Sequence, residues 1–586
     1  MKKIKVFGVA LIVVLVYSFI NLPVISFNFL STISLLIVFL LAVGVIDMMY
    51  DDGDKTSKLS KRSFFISGCL IVYSSVVPFF LQHPIFHAKD YRALIGNVEE
   101  SDFSTDISPV SVEDIRLVDE DMAMRLGDKK LGEDPALGSV AKLDKFHIQN
   151  VNGELYWVAP LVHRDVIKWF TSPDGTNGYV MVSASNPQDV RLIQELDGEP
   201  VKIVYQPEAY FMQDLKRHMY LNGVVNKGMT DFTFEIDDLG NPFWVTTLYE
   251  NTIGYGGSDA VGVCTVNSQT GEVNTYSISD APSWIDRIQP ENFVVEQIRD
   301  WGIYVNGFLN AVISETGVLV PTQGTSLVYG NDGRSYWYTG ITSAGADEST
   351  IGFILVDTRT KEAKLYKQPG ATETAAMKSA EGKVQEKGYD ATFPVTYNIL
   401  GKPTYVSSLK DKAGLVKMVA FVSVEDFSVL GIGDTKEEAL RSYKDALSSN
   451  GNDIDLNEYD DSISTEDTVL RISSDVIGGD TFYYMTLENE GTKIFTANAR
   501  VSNQMALTVS GDKVSIDYQE ERNGVCEIVS FENILLSEII EEVPQGETTE
   551  VEEDVVTEEV VEEIFEEESI EDFSEEELTD ENNEII

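Results

Sequence analysis

His83 and His87 stand four residues apart, a spacing that sets two imidazoles on one helix face and suits a divalent metal. Pro84 falls between them and no third ligand is near. Placement at an interface just after an apolar run is therefore the plainer reading. His147 and His163 belong to no motif, and His218, within Leu215-Lys216-Arg217-His218-Met219, reads as the surface of a helix. Asp51-Asp52-Gly53-Asp54 opens like a calcium loop but lacks the spacing that would complete one. Asn331-Asp332-Gly333 has the composition of a hairpin turn before that of a cation site. No serine, cysteine or threonine stands in a nucleophile motif. Paired carboxylates are too common in so acidic a chain to be diagnostic. The expectation is no catalytic residue, no metal ligand and no cofactor, hence no enzyme.

Aromatic residues recur instead, each time beside a glycine turn. The four stretches are Asn152-Gly153-Glu154-Leu155-Tyr156-Trp157-Val158, Leu239-Gly240-Asn241-Pro242-Phe243-Trp244-Val245, Asn331-Asp332-Gly333-Arg334-Ser335-Tyr336-Trp337-Tyr338 and Leu400-Gly401-Lys402-Pro403-Thr404-Tyr405-Val406. The glycines are 87, 93 and 68 residues apart, which marks a repeated unit. Alternation along a strand sends one aromatic of each pair inward and the next outward. The outward members would either pack or form an exposed stripe for sugar rings or a protein partner.

Strands and helices must position these aromatics. Apolar alternation flanks each turn, as in Phe232-Phe234-Ile236, and predicts hairpins. A further apolar strand follows in each copy: Gly178–Val182, Val261–Val266, Gly352–Asp357 and Met418–Val424. Val294, Ile298, Trp301, Val305, Phe308 and Val312 alternate steps of four and three, predicting one helix face. Ala376, Met377, Ala380 and Val384 mark a shorter helix, and Thr435 with Glu438 forms a capping box ahead of Leu440, Tyr443 and Leu447. Helices of period near 3.6 among strands of period 2 imply an α+β fold with helices on antiparallel sheet.

Val356-Asp357 followed by threonines up to Lys361, with an alanine-rich helix nearby, resembles the PepSY-type module of bacterial extracytoplasmic membrane-anchored proteins. Fragments of residues 180–450 share the resemblance; Val424-Glu425-Asp426 in the fourth copy departs from it. It implies a small sheet carrying a helix, and a binding or regulatory role outside the membrane, without catalytic residues.

Three apolar runs open the chain: Val6–Leu22, Phe29–Ile46 and Phe64–Leu81. Each is long enough to cross about 30 Å of hydrocarbon as a helix. Lys2, Lys3 and Lys5 before the first run also fit a signal peptide, but a second span follows almost at once and no small-residue cleavage site is present. Lys55, Lys58, Lys61 and Arg62 between runs two and three place the N-terminus and this loop in the cytoplasm, with everything after Leu81 outside. The runs contain no ionisable residue, which favours anchoring over ion conduction.

The formal net charge is −52. The tail from Glu541 to Ile586 carries 22 Asp or Glu and no Lys or Arg, leaving −30 on the rest. Such a surface repels nucleic acid. The tail reads as disordered, serving as a spacer or a partner-binding segment. Cys69, Cys264 and Cys526 form no disulfide framework. Asn450–Asp467 reads as a linker. Beyond it, six short strands, Val469–Ile472, Phe482–Leu487, Lys493–Ala497, Met505–Val509, Lys513–Tyr518 and Cys526–Phe531, suggest a small barrel of OB or SH3 type.

The expected organisation is a membrane anchor at 1–87, α+β modules at 88–200, 201–285, 286–370 and 371–449, a linker at 450–467, a barrel at 468–540 and an acidic tail at 541–586. The expected function is a non-enzymatic extracytoplasmic scaffold or interaction protein of a bacterial or phage-type cell envelope. Its partners would be the lipid bilayer and an envelope protein. The rivals are an envelope enzyme or a direct regulator of one, such as a peptidase or cell-wall enzyme, and an accessory subunit of a transport or secretion complex.

Overall fold

The computed structural model describes residues 2–50, 57–103, 107, 110, 112, 114–330, 333–345, 349–450, 463–477, 480–491, 493–499, 501–520 and 525–536. Asp51–Asp54, Asn331, Asp332, most of the 450–467 linker and the acidic tail lie outside them. The chain forms two compact units, residues 1–456 and 457–586.

Three N-terminal helices are long and apolar enough to cross a membrane: α1 (Lys2–Asn21), α2 (Leu30–Met49) and α3 (Lys58–Gln82). Serines 60, 63 and 67 form a buried stripe on α3, and small residues of this kind let apolar helices approach closely. Helix α2 continues past the apolar run and buries Asp47 in its last turn. This carboxylate accepts hydrogen bonds from Ser57 and, at 2.8 Å, from Ser60, and lies 3.6 Å from Lys2. The one acidic side chain of the bundle therefore ties its three helices together at one end. His83 ends α3 and caps α4 (Pro84–Ala93), its Nδ1 accepting from the Ile85 N–H.

Four larger sheets follow, antiparallel but for one edge strand, along with three two-stranded ones among the described residues. Helices α5 (Glu120–Gly132) and α6 (Pro135–Val140) precede the first, whose central strands are His147–Val151, Glu154–His163, Tyr179–Ser183 and Val190–Ile193. Helix α7 (Val166–Thr171) interrupts that sheet, and α8 (Leu215–Leu221) precedes the second. The second sheet consists of Gly228–Ile236, Pro242–Ile253, Gly256–Asn267 and Val273–Ser277. Helix α9 (Glu291–Ile303) leads to the third, built on Ser326–Tyr329, Ser335–Ser343, Gly352–Asp357 and Ala363–Tyr366. Val98–Ser101 joins this sheet in parallel beside Ala363–Tyr366. Helix α10 (Glu373–Lys383) leads to the fourth, built on Val395–Ile399, Lys402–Lys410, Val416–Ser423 and Leu430–Gly433, and α11 (Lys436–Ser449) packs on its last two strands.

The four sheets share a pattern of hydrogen bonds. The carbonyl after each third strand accepts backbone N–H groups from the segment that leads towards the preceding helix. Ala184 O takes them from Leu117 and Val118, Ser268 O from Val204 and Tyr205, Thr358 O from Ile288 and Gln289, and Val424 O from Ala371. An aromatic of the second strand then donates to that same segment. Trp157, Trp244 and Trp337 reach Val118 O, Tyr205 O and Gln289 O, each at 2.8 Å, and Tyr405 reaches Ala371 O at 3.1 Å. Gly262 and Gly352 make room for the adjoining fourth strand, because a Cβ would fall on the carbonyls of Tyr276 and Tyr366.

Cores lie on both faces of every sheet. Trp157, Val180 and Val182 of the first sheet pack with Trp337, Ile354 and Val356 of the third. Its other face, with Tyr156, Val158 and Tyr179, meets Phe234, Trp244 and Val266 of the second. Tyr338, Phe353 and Leu355 of the third sheet meet Tyr405, Leu409 and Val422 of the fourth. The stacking order is thus second, first, third, fourth. The outer faces are closed by Ala281, Ile285 and Ile288 at one end and by Ala439, Tyr443 and Leu447 of α11 at the other. This overturns the exposed aromatic stripe. Alternation does send Tyr156 and Trp157 to opposite faces, but a core lies on each; Tyr156, Trp157, Trp244, Trp337 and Tyr405 are buried, and Phe243 and Tyr336 are half-buried, Phe243 against Trp284 and Tyr336 against the core between the third and fourth sheets.

One helix reading also changes. The helix through Val294 stops at Ile303; Asn306-Gly307 breaks it, and a separate turn runs Asn310–Ser314. The Thr435–Glu438 cap holds, with Thr435 accepting from the Glu438 N–H at 3.2 Å.

The second unit is a closed five-stranded barrel, Ile463–Ile477, Asp480–Leu487, Ile494–Asn498, Lys513–Glu520 and Val525–Asn533, numbered here one to five and ordered 1-2-3-5-4. Strands three and five are parallel. The expected six strands become five because Asn503–Leu507 is a 3-10 turn that sends Met505 into the barrel core. The first strand is fifteen residues long; it pairs with strand four up to Thr468 and with strand two from Val469, which closes the barrel.

Candidate functional site

Where the first three sheets meet, at the glycine-turn end of the stack, charged groups lie under a shallow open cleft. The cleft is lined by Asn150, Asn152, Gly153, Asp238, Ser283, Trp284, Asp286 and Gly333. Pro242–Ile253 runs the length of the second sheet, and the turn at its far end, Gly254, touches Leu81 at the end of α3. Twelve residues of strand span roughly 40 Å, so the cleft sits at the end of the stack away from the spans.

The segment from Ala281 to Gln289 builds one wall. It is wrapped around Arg359, whose guanidinium donates to the carbonyls of Ala281 and Pro282, each at 2.8 Å, and to that of Ile285. This leaves Trp284 against Phe243, ring centres 5.0 Å apart. Asp286 accepts from the Asn150 N–H at 2.6 Å and the Tyr329 hydroxyl at 3.1 Å, and its own carbonyl accepts from Ser335 and Thr358. Gln149 clamps the strands beneath, accepting from Ile236 N–H at 2.9 Å and donating to the carbonyls of Ile236 and Trp284.

Glu235 lies buried deeper. Oε1 accepts from Thr233 at 2.7 Å, whereas Oε2 is sealed from solvent without a partner. Burial raises this carboxyl to about 7, against the pull of Arg287. Asp286 is raised to about 6 by burial, partly offset by the N–H and hydroxyl it accepts. Arg287 keeps Nε and Nη2 sealed without hydrogen-bond partners. Its guanidinium is lifted by the charges of Asp231 and Glu235 against the cost of burial. His147 is held well below its ordinary value, first by burial and then by the charges of Arg287 and Lys145. Carboxyls poised near neutrality beside an underbonded guanidinium can hold and exchange a proton or grip an anion. Sequence reading missed this cluster because Glu235, Asp286 and Arg287 sit in no motif and converge only where the segment after the second sheet folds over that sheet.

The histidines do not converge. His83 caps α4, His87 pairs with Asp90 at 2.8 Å, and His163 is buried against Gln206 and the Ser172 carbonyl. His218 is not a surface residue. It is half-buried, bonds the Gly271 carbonyl at 2.7 Å and lies on the Tyr205 ring. Asp357 of the valine-aspartate stretch shapes a turn, its Oδ1 accepting from the N–H groups of Arg359 and Thr360. All three cysteines are free thiols.

No protein-family profile and no curated protein matches the chain. Among solved structures, a mutant apocarotenoid oxygenase from Synechocystis matches at a TM-score of 0.15 and 10% identity, over 49% of this chain and 48% of that one, about half of each. Mutant levansucrases from B. megaterium and Bacillus subtilis match at TM-scores of 0.18 and 0.16 and identities of 9% and 10%. They cover 72% and 73% of this chain and 96% and 98% of theirs. Scores this low carry no argument about fold or function.

Proposed function

We propose that this chain is a membrane-anchored, extracytoplasmic scaffold or interaction protein of the cell envelope, without catalytic activity of its own. The observation that carries the reading is the cleft: shallow, open, bearing Trp284, and held at the end of the stack away from the spans. Deep pockets with convergent polar groups serve small substrates, whereas a shallow aromatic-bearing face serves a macromolecular partner. The shared hydrogen-bond pattern supports treating the four sheets as copies of one α+β module related to the PepSY type. The 1-2-3-5-4 order with parallel strands three and five supports an OB-like barrel. The lysines of the N-terminus and of the loop after α2 support a cytoplasmic placement of both, with the body outside.

The test is site-specific photo-crosslinking in cells from Trp284, with exposed Leu415 as the control position. The expected result is an adduct with a defined envelope protein from position 284 alone. Identical patterns from 284 and 415 would contradict the proposal. A second reading, an envelope enzyme or direct regulator, is favoured by Glu235 and Asp286 near neutrality beside Arg287. It predicts that Glu235→Gln abolishes a measurable turnover while leaving crosslinking intact.

A further inference from the structure

Two apolar patches of the body flank the ends of the membrane helices. In the first, Ile167 and Phe170 of α7 are 68% and 64% exposed, and Phe211 and Met212 are 61% and 57% exposed. Trp169 stands between Phe170 and Tyr210, its ring 4.8 and 5.2 Å from theirs. Arg217 ties this patch to the spans: it donates to the carbonyls of Phe19, in the last turn of α1, and of Phe211, and lies 4.7 Å over the Phe19 ring. Phe211 is held at φ 52°, a left-handed conformation uncommon for a bulky residue, and its ring is left outside the core. The second patch is the turn after α9, where Leu309, Val312 and Ile313 are 70%, 63% and 77% exposed. Its Phe308 meets the His83 ring at the end of α3, centres 6.0 Å apart. From Trp301 to Ser314 no residue is charged.

Other contacts place the body at the same level. Ile25 N–H donates to the Val225 carbonyl, Asn28 and Asn251 exchange side-chain-to-backbone bonds, and Tyr220 donates to the Pro23 carbonyl. The link between α1 and α2 and the end of α3 therefore lie on the body's side of the three helices. Soluble proteins rarely leave such patches bare. Tryptophan, tyrosine and phenylalanine beside lysine and arginine, as at Arg164, Lys168, Trp169 and Phe170, is the composition of an interfacial anchor.

We infer that the body is itself seated in the bilayer. The α7–Phe211 patch and the Leu309–Ile313 turn enter the leaflet on the body's side and hold the stack in one orientation on the membrane. This rests on the reading of α1, α2 and α3 as spans.

The experiment uses the full chain in vesicles of phosphatidylcholine and phosphatidylglycerol. An environment-sensitive fluorophore is attached at Ile167→Cys, Ile313→Cys or, as the water-facing control, Leu239→Cys, each in a Cys69→Ser background; Leu239 is 81% exposed in the glycine turn. Cys264 and Cys526 are buried. Native Cys69, exposed on α3, reports the span in the wild-type chain. The expected result is loss of most fluorescence at 167 and 313 with nitroxide lipids labelled near the top of the acyl chain and little loss with aqueous iodide, with the reverse at 239. Iodide quenching at 167 and 313 equal to that at 239, with Cys69 shielded, overturns the seating alone. Iodide quenching at Cys69 overturns the span reading and the seating with it.

Discussion

Trp337→Ala is expected to cost about 3–5 kcal/mol and to loosen the stack at its centre. The indole fills the core shared by the first and third sheets and is 6% exposed. Its Nε1 donates to Gln289 O at 2.8 Å, fixing the segment that leads into α9 and carries Asp286 and Arg287. Alanine leaves both a cavity and an unsatisfied carbonyl. Trp337→Phe keeps most of the volume and loses the donor, so its cost should be about 1–3 kcal/mol. Hydrogen exchange on the full chain separates the two: amides of 335–343 and 352–357 should lose protection in the alanine variant, while amides of 513–520 in the barrel, a separate unit, stay unchanged. Equal loss in both units would contradict a core confined to the stack.

The second large effect is on pH. Glu235 is raised from an ordinary 4.5 to about 7 in the folded chain, chiefly by burial. Between these values the folded state holds a proton that the unfolded state has released, so stability falls as pH rises from about 4.5 to about 7 and levels off above. The difference corresponds to about 3 kcal/mol. Asp286, raised to about 6, steepens the lower part of the same window. Glu235→Gln keeps the shape and removes the titration. It should flatten the pH dependence of unfolding between pH 5 and pH 8 and narrow the gap between the melting temperatures measured at pH 5 and at pH 8. An unchanged gap would show that Glu235 ionises normally and that the cluster is open to water.

Local signals carried much of the fold. The apolar runs at 6–22, 29–46 and 64–81 gave the three N-terminal helices, because apolar length is a one-dimensional property. The turns at Gly153, Gly240, Gly333 and Gly401 marked hairpins, because a tight turn between alternating strands is local. The third strand of each sheet was also legible from an apolar run. Stacking was not. Tyr179-Val180-Met181-Val182-Ser183 is buried along its whole length, and such a run says that both faces are covered without saying by what. The aromatic pairs thus looked half free. The helix through Val294 was read too long because Phe308 and Val312 kept its period beyond the Asn306-Gly307 break. The Glu235–Asp286–Arg287 cluster had no local signature, since its members come from a strand of the second sheet and from the segment that follows that sheet.

The central claim is that the body lies outside the cytoplasmic membrane, anchored by α1, α2 and α3. Leu239→Cys in a Cys69→Ser background, exposed in the glycine turn, should react with a membrane-impermeant maleimide in intact cells, while Lys58→Cys, at the exposed first residue of α3, should react only after lysis. Labelling of position 58 alone in intact cells would put the body in the cytoplasm and contradict the account.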